Sequence, residues 1–219
     1  MAEVVIFGTG DAAELAHYYF TRDSEHRVVA FTVDGAYRKA DRFLDLPVVD
    51  FEEVANAFPP SQYAMFVAMG YVKMNHIRAE KYAGAKALGY TLVSYVSSKC
   101  TWLTDHAPGD NCFILEDNTV QPFVRIGSNV TLWSGNHIGH HGVIGDHCFI
   151  SSHVVVSGRV QVGEYCFLGV NATIRDGVTI GSETLVGAGA VIMDDTEPRS
   201  VYVPERTALF PRKSDRIKI

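Results

Sequence analysis

The sequence predicts two architectures in series: a small α/β unit with a parallel sheet, then a parallel β-helix of six-residue repeats. Two observations predict this. From Ile114 to Ile192 every sixth residue is aliphatic: Ile114, Val120, Ile126, Leu132, Ile138, Ile144, Ile150, Val156, Val162, Leu168, Ile174, Ile180, Val186 and Ile192. A period of six fits neither the 3.6 of a helix face nor the 2 of a half-buried strand. It is the period of a hexapeptide solenoid, in which each short segment gives one apolar side chain to a shared core and three segments close one coil of eighteen residues. Upstream, residues 2–95 instead alternate apolar strand-like runs with segments of helical period, the pattern of a parallel sheet flanked by helices. The expected division is 1–97, 98–196 and a tail at 197–219.

Taken in order, Glu3-Val4-Val5-Ile6-Phe7 reads as a buried strand. Gly8-Thr9-Gly10-Asp11-Ala12-Ala13 follows, then apolar residues at helical spacing through Phe20. Strand, glycine turn and helix together match the G-x-G-x-x-A pattern of nucleotide-binding α/β units, where helix N-terminal amides meet phosphate. A second strand, Val28 to Val33, ends in Asp34, placed where an acid would read a ribose or base. The alternative is that Gly8 and Gly10 only make a tight turn. Phe51 to Phe58 is predicted helical and stopped by Pro59-Pro60. Tyr63 to Met69 is a third strand. Asn75 to Leu88 is a helix ended at Gly89, and Tyr90 to Val96 is a fourth strand. So few units suit half a dinucleotide, a nucleotide-sugar.

In the coils, the residue four after each aliphatic is mostly small or β-branched: Val124, Val130, Cys148, Val154, Val160, Cys166, Ala172, Val178. Asn118 and Asn136 share a phase one coil apart and are expected to stack. Glycine often follows the aliphatic, suiting either a positive φ or close backbone approach at a corner. Cys112, Cys148 and Cys166 are whole coils apart and read as apolar filler.

The formal net charge is −6 and 47% of residues are hydrophobic. No dense Lys/Arg block points to nucleic acid. No apolar run approaches the ~20 residues that cross a bilayer. The Met1-Ala2-Glu3 start leading into a strand is not a signal peptide, so the expected location is cytoplasmic and no membrane partner is expected. The tail is basic, with Arg212, Lys213, Arg216 and Lys218, and reads as a solvated terminus or as a contact for ligand phosphates.

Five of nine histidines fall between His137 and His153. His140 and His141 take positions three and four of their hexad, His147 and His153 position four, and His137 position six. None takes an interior position, so their rings are expected to face solvent or a neighbouring subunit. Zinc needs three or four converging ligands. The γ-type carbonic anhydrases build such a site with a histidine pair five apart, a spacing absent from this cluster, so no metal is expected. Acid–base chemistry is the other use, since a neutral imidazole can take a proton near physiological pH.

Here the residues carry a family resemblance. The G-x-G-x-x-A unit, the run Gly139-His140-His141-Gly142-Val143-Ile144-Gly145-Asp146-His147 and the following Ser152-His153-Val154-Val155-Val156-Ser157-Gly158 resemble the bacterial nucleotide-sugar N-acetyltransferases. These are similar to the sialic acid O-acetyltransferase-like proteins and to the GDP-perosamine and UDP-4-amino-sugar N-acetyltransferases. The resemblance implies a left-handed β-helix, a homotrimer with active sites between subunits, acetyl-CoA as donor and a nucleotide-linked amino sugar as acceptor, in surface-glycan biosynthesis. It implies that Gly8, Thr9, Gly10 and Asp34 hold the nucleotide and that His140 is the general base, with His141 the other candidate. The acid often beside that histidine is His141 here, and the expected substitute is Asp146 or a group from another subunit. Gly158, eighteen residues beyond His140 and in its phase, offers an N–H for the oxyanion. Gly169, Gly187 and Gly189 suit a groove for coenzyme A, or only corner geometry. His153 touches donor or acceptor. Sugar O-acetylation, transfer of a longer acyl group and a non-catalytic binding scaffold are the alternative functions.

Overall fold

The computed structural model describes residues 1–217. Lys218 of the basic tail lies outside the described residues. The α/β unit comprises β1 (Glu3–Phe7), α1 (Asp11–Arg22), β2 (Arg27–Val33), β3 (Arg42–Phe43), β4 (Leu46–Asp50), α2 (Val54–Ala57), β5 (Ala64–Val67) and α3 (His76–Ala87). The sheet order is β3-β4-β2-β1-β5, parallel except for β3 on the edge. Val4, Val5 and Ile6 are fully buried because helices cover both faces of β1. Ala13, Ala16 and Phe20 of α1 pack on one face, and Val54 and Ala85 pack on the other.

The fourth strand expected at Tyr90 to Val96 is divided. Leu92 makes a single parallel bridge to Met65, whereas Tyr95–Val96 pairs with Phe113–Ile114 as the first strand of the β-helix. Tyr95 links the two parts of the chain: its ring lies 5.6 Å from Phe113 of the first coil, and its hydroxyl donates to Asp23, at the end of α1, at 2.6 Å.

Fourteen two-residue strands follow from Phe113–Ile114 to Val191–Ile192, each ending on one of the fourteen aliphatics. They pair in parallel at a separation of eighteen residues and form a left-handed β-helix with three faces. The first face carries the strands at Tyr95, Phe113, Thr131, Phe149, Phe167, Leu185 and Val201. The second carries those at Thr101, Thr119, His137, Val155, Thr173 and Val191. The third carries those at Arg125, Val143, Gln161 and Thr179. The ladder thus runs from Tyr95 to Tyr202. Its interior is lined by the predicted aliphatics and by the column that includes Val124, Val130, Cys148 and Cys166, all nearly or wholly buried.

The corners are sharper than the sequence suggested. The residue three after each aliphatic, from Asp117 to Gly189, is left-handed, with φ between 56° and 79°. The glycines directly after the aliphatics serve close approach instead. A Cβ on Gly139 would lie 2.5 Å from Gly158 N, and one on Gly163 2.6 Å from Ser182 N. His141, His147 and His153 all occupy left-handed corners (φ 58°, 64° and 58°), a conformation in which Asn, Asp and His are enriched. Part of the histidine cluster is therefore explained by turn geometry.

The expected asparagine stack is present. Asn118 Oδ1 accepts from Asn136 N at 3.1 Å, and Asn136 Oδ1 accepts from Val154 N at 2.8 Å, both side chains being buried.

The α/β unit is fixed to the coils through α3. Arg78 is buried, and its Nη2 donates to the carbonyls of Asn129, His147 and Cys148. Burial lowers its pKa to about 10, so it stays charged at neutral pH. His147, expected to face solvent or a neighbour, instead packs beneath α3. Its ring lies 5.4 Å from Tyr82 and 4.6 Å from Tyr165, and its Nδ1 is 2.9 Å from Asn129 Nδ2.

Candidate active site

Two regions hold most of the residues that the sequence singles out. The first is a cleft of about 620 Å³ at the C-terminal ends of β1, β2 and β5, the edge at which parallel sheets bind ligands. Gly8, Thr9, Gly10 and Asp34 all line it, with Tyr37, Lys73 and Lys81. The two glycines have different reasons. Gly8 has φ 124°, and a Cβ there would sit 2.8 Å from Ala68 O, so the fold itself requires glycine. Around Gly10 a Cβ would meet no atom within 4 Å, and its φ of −107° suits any residue. Packing does not explain Gly10. Its missing side chain leaves the first turn of α1 open to the cleft.

Asp34 is not free. Lys81 Nζ lies 2.9 Å from its Oδ1 and 3.4 Å from Glu80 Oε1. Against partial burial, which lowers it, these carboxylates hold the Lys81 pKa above its ordinary value. Lys81 comes from α3, across the cleft, so no local motif announces it. Tyr37, 71% exposed, offers a ring at the rim.

The second region is the corner between the second and third faces. His140, Gly158 and Asp176 stack there on successive coils, eighteen residues apart. A Cβ on Gly158 would lie 2.7 Å from His140 Nε2 and 2.7 Å from Asp176 Oδ1. Only glycine admits both side chains over that amide. The Gly158 N–H donates to no protein acceptor among the described residues. His140 is anchored by its own amide, which donates to Gln121 Oε1 at 2.9 Å. His140 Nδ1 lies 3.1 Å from His141 Nδ1, and the His141 ring rests 4.6 Å from that of Phe123. Asp146 does not substitute for the missing acid. It sits at the corner between the third and first faces, where its Oδ1 accepts from Ser128 N at 2.7 Å. Asp176 was readable from the eighteen-residue column but was missed, and Gln121 has no such signal.

The corner between the first and second faces holds the remaining residues. His153 lies across Gly135 of the previous coil, where a Cβ would be 2.5 Å from its ring. A Cβ on Gly169 or Gly187 would strike backbone at 2.6 or 2.9 Å, so coil packing accounts for both. Gly189 has φ 74° and no atom within 4 Å of a Cβ. The glycine-turn cleft, the His140 corner and this third corner belong to different parts of one chain. Among the described residues no group of three or more His, Cys, Asp or Glu side chains could hold a metal ion, and no helix is long and apolar enough to cross a membrane.

Comparison with known proteins finds a repeat family and several similar structures. The bacterial transferase hexapeptide family (six repeats) matches residues 141–175 and 159–194. The H141N mutant of perosamine N-acetyltransferase from Caulobacter crescentus, solved in complex with CoA and GDP-perosamine, superposes with a TM-score of 0.80 at 25% identity, over 92% of this chain and 93% of that one. The resemblance to sugar N-acetyltransferases thus spans the chain. The acetyltransferase domain of PglB from Neisseria gonorrhoeae (TM-score 0.77, 22% identity, 92% and 96% covered) and WeeI from Acinetobacter baumannii (0.77, 17%, 92% and 96%) share the fold. No curated protein matches by sequence.

Proposed function

We propose that the chain is an acetyl-CoA-dependent N-acetyltransferase whose acceptor is the amino group of a nucleotide-linked amino-deoxy sugar. The observation that carries this reading is the stack of His140 over Gly158 at a β-helix corner, in a chain that also carries an open glycine-turn cleft. The likeness to the Caulobacter enzyme, with its CoA and GDP-perosamine, supports it over nearly the full length.

The geometry supports the following mechanism. Acetyl-CoA supplies the activated acetyl group. When His140 carries its proton on Nδ1, it donates to His141 Nδ1, and Nε2 is left with a lone pair. Nε2 then accepts the proton that the attacking amine loses as its N–C bond forms, and returns it to the sulfur as the C–S bond breaks and the thiol leaves. The free Gly158 N–H, beside that nitrogen, is the donor for negative charge developing on the carbonyl oxygen. Asp176, at the same corner, is the carboxylate available to orient the incoming amine. The first turn of α1, opened by Gly10, receives phosphate, and Tyr37 offers a stacking surface for a base. Gly189, on the corner it shares with His153, is the most open of the three glycines suited to a coenzyme A groove.

These regions lie apart in one chain, which favours a homotrimer in which the His140 corner of one subunit meets a neighbour. Exposed Val155 and Val191 on the second face suit that contact. A role in cytoplasmic assembly of surface glycans fits this acceptor class. The test is thiol release from acetyl-CoA with UDP-, GDP- and dTDP-linked 4-amino-4,6-dideoxy sugars. Release with one of them and formation of an amide product are expected. Release only with hydroxyl acceptors, or none in folded protein, would overturn the reading.

A further inference from the structure

The segment between β5 and α3 carries a backbone that side chains normally avoid. Lys73, Met74 and Asn75 are three consecutive non-glycine residues in the left-handed region, at φ 51°, 51° and 67°. Single residues visit this region, but a run of three is disfavoured by contacts between Cβ and the carbonyls. The run persists because both its ends are staked to the β-helix. At one end the Tyr71 ring packs 4.9 Å from Phe149 and 4.8 Å from Phe167. At the other, Asn75 is fully buried, and its Nδ2 donates to the carbonyls of Tyr165 and Cys166 at 3.2 and 3.3 Å. Its amide donates to Tyr71 O at 3.2 Å, which closes the turn. Between the stakes, Val72 and Lys73 line the glycine-turn cleft, facing Gly8 to Ala12.

The charges of that cleft single out Lys73. The lining carries two carboxylates, Asp11 and Asp34, and two lysines. Lys81 is committed to Asp34 and Glu80. Lys73 is exposed and makes no ion pair among the described residues. An anion entering the cleft would meet the Asp11 charge with only the α1 amides and Lys73 to offset it.

We infer that Lys73, held over the cleft by the staked left-handed turn, binds the diphosphate of the nucleotide-linked substrate. This rests on the nucleotide reading of the cleft given above. The turn sets where the ammonium sits, and the Asn75 anchor makes that position depend on the coils.

Calorimetric titration with UDP, GDP and dTDP, and with uridine, guanosine and thymidine, tests it on the full chain. The variants are Lys73→Asn, which tolerates the left-handed turn without the charge, and Lys73→Arg. Wild type should bind one diphosphate more tightly than its nucleoside. Lys73→Asn should lose about ten-fold for the diphosphate, the scale of one charge-assisted contact, and nothing for the nucleoside, while Lys73→Arg keeps most of the affinity. Unchanged diphosphate affinity in Lys73→Asn, with wild type still binding, overturns the inference and leaves the nucleotide reading standing. An equal loss for diphosphate and nucleoside assigns Lys73 to the shape of the wall and also overturns it. No nucleotide binding by wild type overturns the cleft reading and this inference with it.

Discussion

The Nδ1 atoms of His140 and His141 lie 3.1 Å apart, with the His141 ring braced against Phe123. Only one arrangement of the bridging proton, Nδ1–H on His140, leaves His140 Nε2 free to accept a proton beside Gly158. In the proposed mechanism His141 would do as a neutral acceptor what a carboxylate does in many base–acid pairs, and its left-handed corner (φ 58°) sets its ring beside its neighbour. Replacing His141 with Phe keeps the stacking but removes the acceptor. The expected result is a fall in kcat of about ten-fold or more with KM little changed, while His141→Glu restores an acceptor and retains turnover. Steady-state kinetics of the two variants checks this.

Gly158→Ala is the sharpest probe of the corner. The added Cβ would sit 2.7 Å from both His140 Nε2 and Asp176 Oδ1, so a side chain must move off the amide. Turnover should fall about 10²-fold, the scale of a lost oxyanion donor or base. The melting temperature should change little, because the ring it displaces is exposed. Activity at the wild-type level would remove Gly158 from the site.

Acid stability should depend on Asp23. Hydrogen bonds from Ser98 and Tyr95 hold its carboxyl at about 2, below the usual carboxylate range. A depressed carboxyl stabilises the fold above its unfolded value near 3.9 and loses that contribution as pH falls through the folded value near 2. Asp23→Asn should therefore be less stable than wild type at pH 7. The gap should narrow between pH 4 and pH 2 in urea titrations at fixed pH. A constant gap over that range would contradict the assignment.

The sequence made the coils legible because a solenoid repeats one environment: each interior position sees the same neighbours, so one period names all fourteen aliphatics. The same rule gave Gly158 from His140 and would have given Asp176. It could not tell which glycines serve close approach, because that depends on the coil stacked beneath. It also misplaced His147, whose corner is covered by α3 from a distant part of the chain. The glycine turn was readable as local strand–turn–helix chemistry. Lys81 and the left-handed turn at Lys73 were not, since α3 and the Tyr71–Asn75 stakes bring them to the cleft through long-range contacts.

The asparagine stack makes an energetic prediction of its own. Asn136→Ala leaves the Val154 amide buried without its acceptor and also removes the bond to Trp133 O. A loss of about 1–3 kcal/mol is expected, as for one buried group left unsatisfied. Denaturant unfolding measures it, and a change below about 0.5 kcal/mol would mean that the ladder contributes little.

The most direct test of the account is the rate of thiol release from acetyl-CoA by His140→Ala and wild type. Both should be run with the best amino-sugar acceptor, and light scattering should show that their assembly mass is the same. The account predicts a loss of about 10²- to 10⁴-fold in kcat, the range expected when a general base is removed. Equal rates at equal assembly would contradict the assignment of His140, and with it the chemistry built on the His140–Gly158 stack.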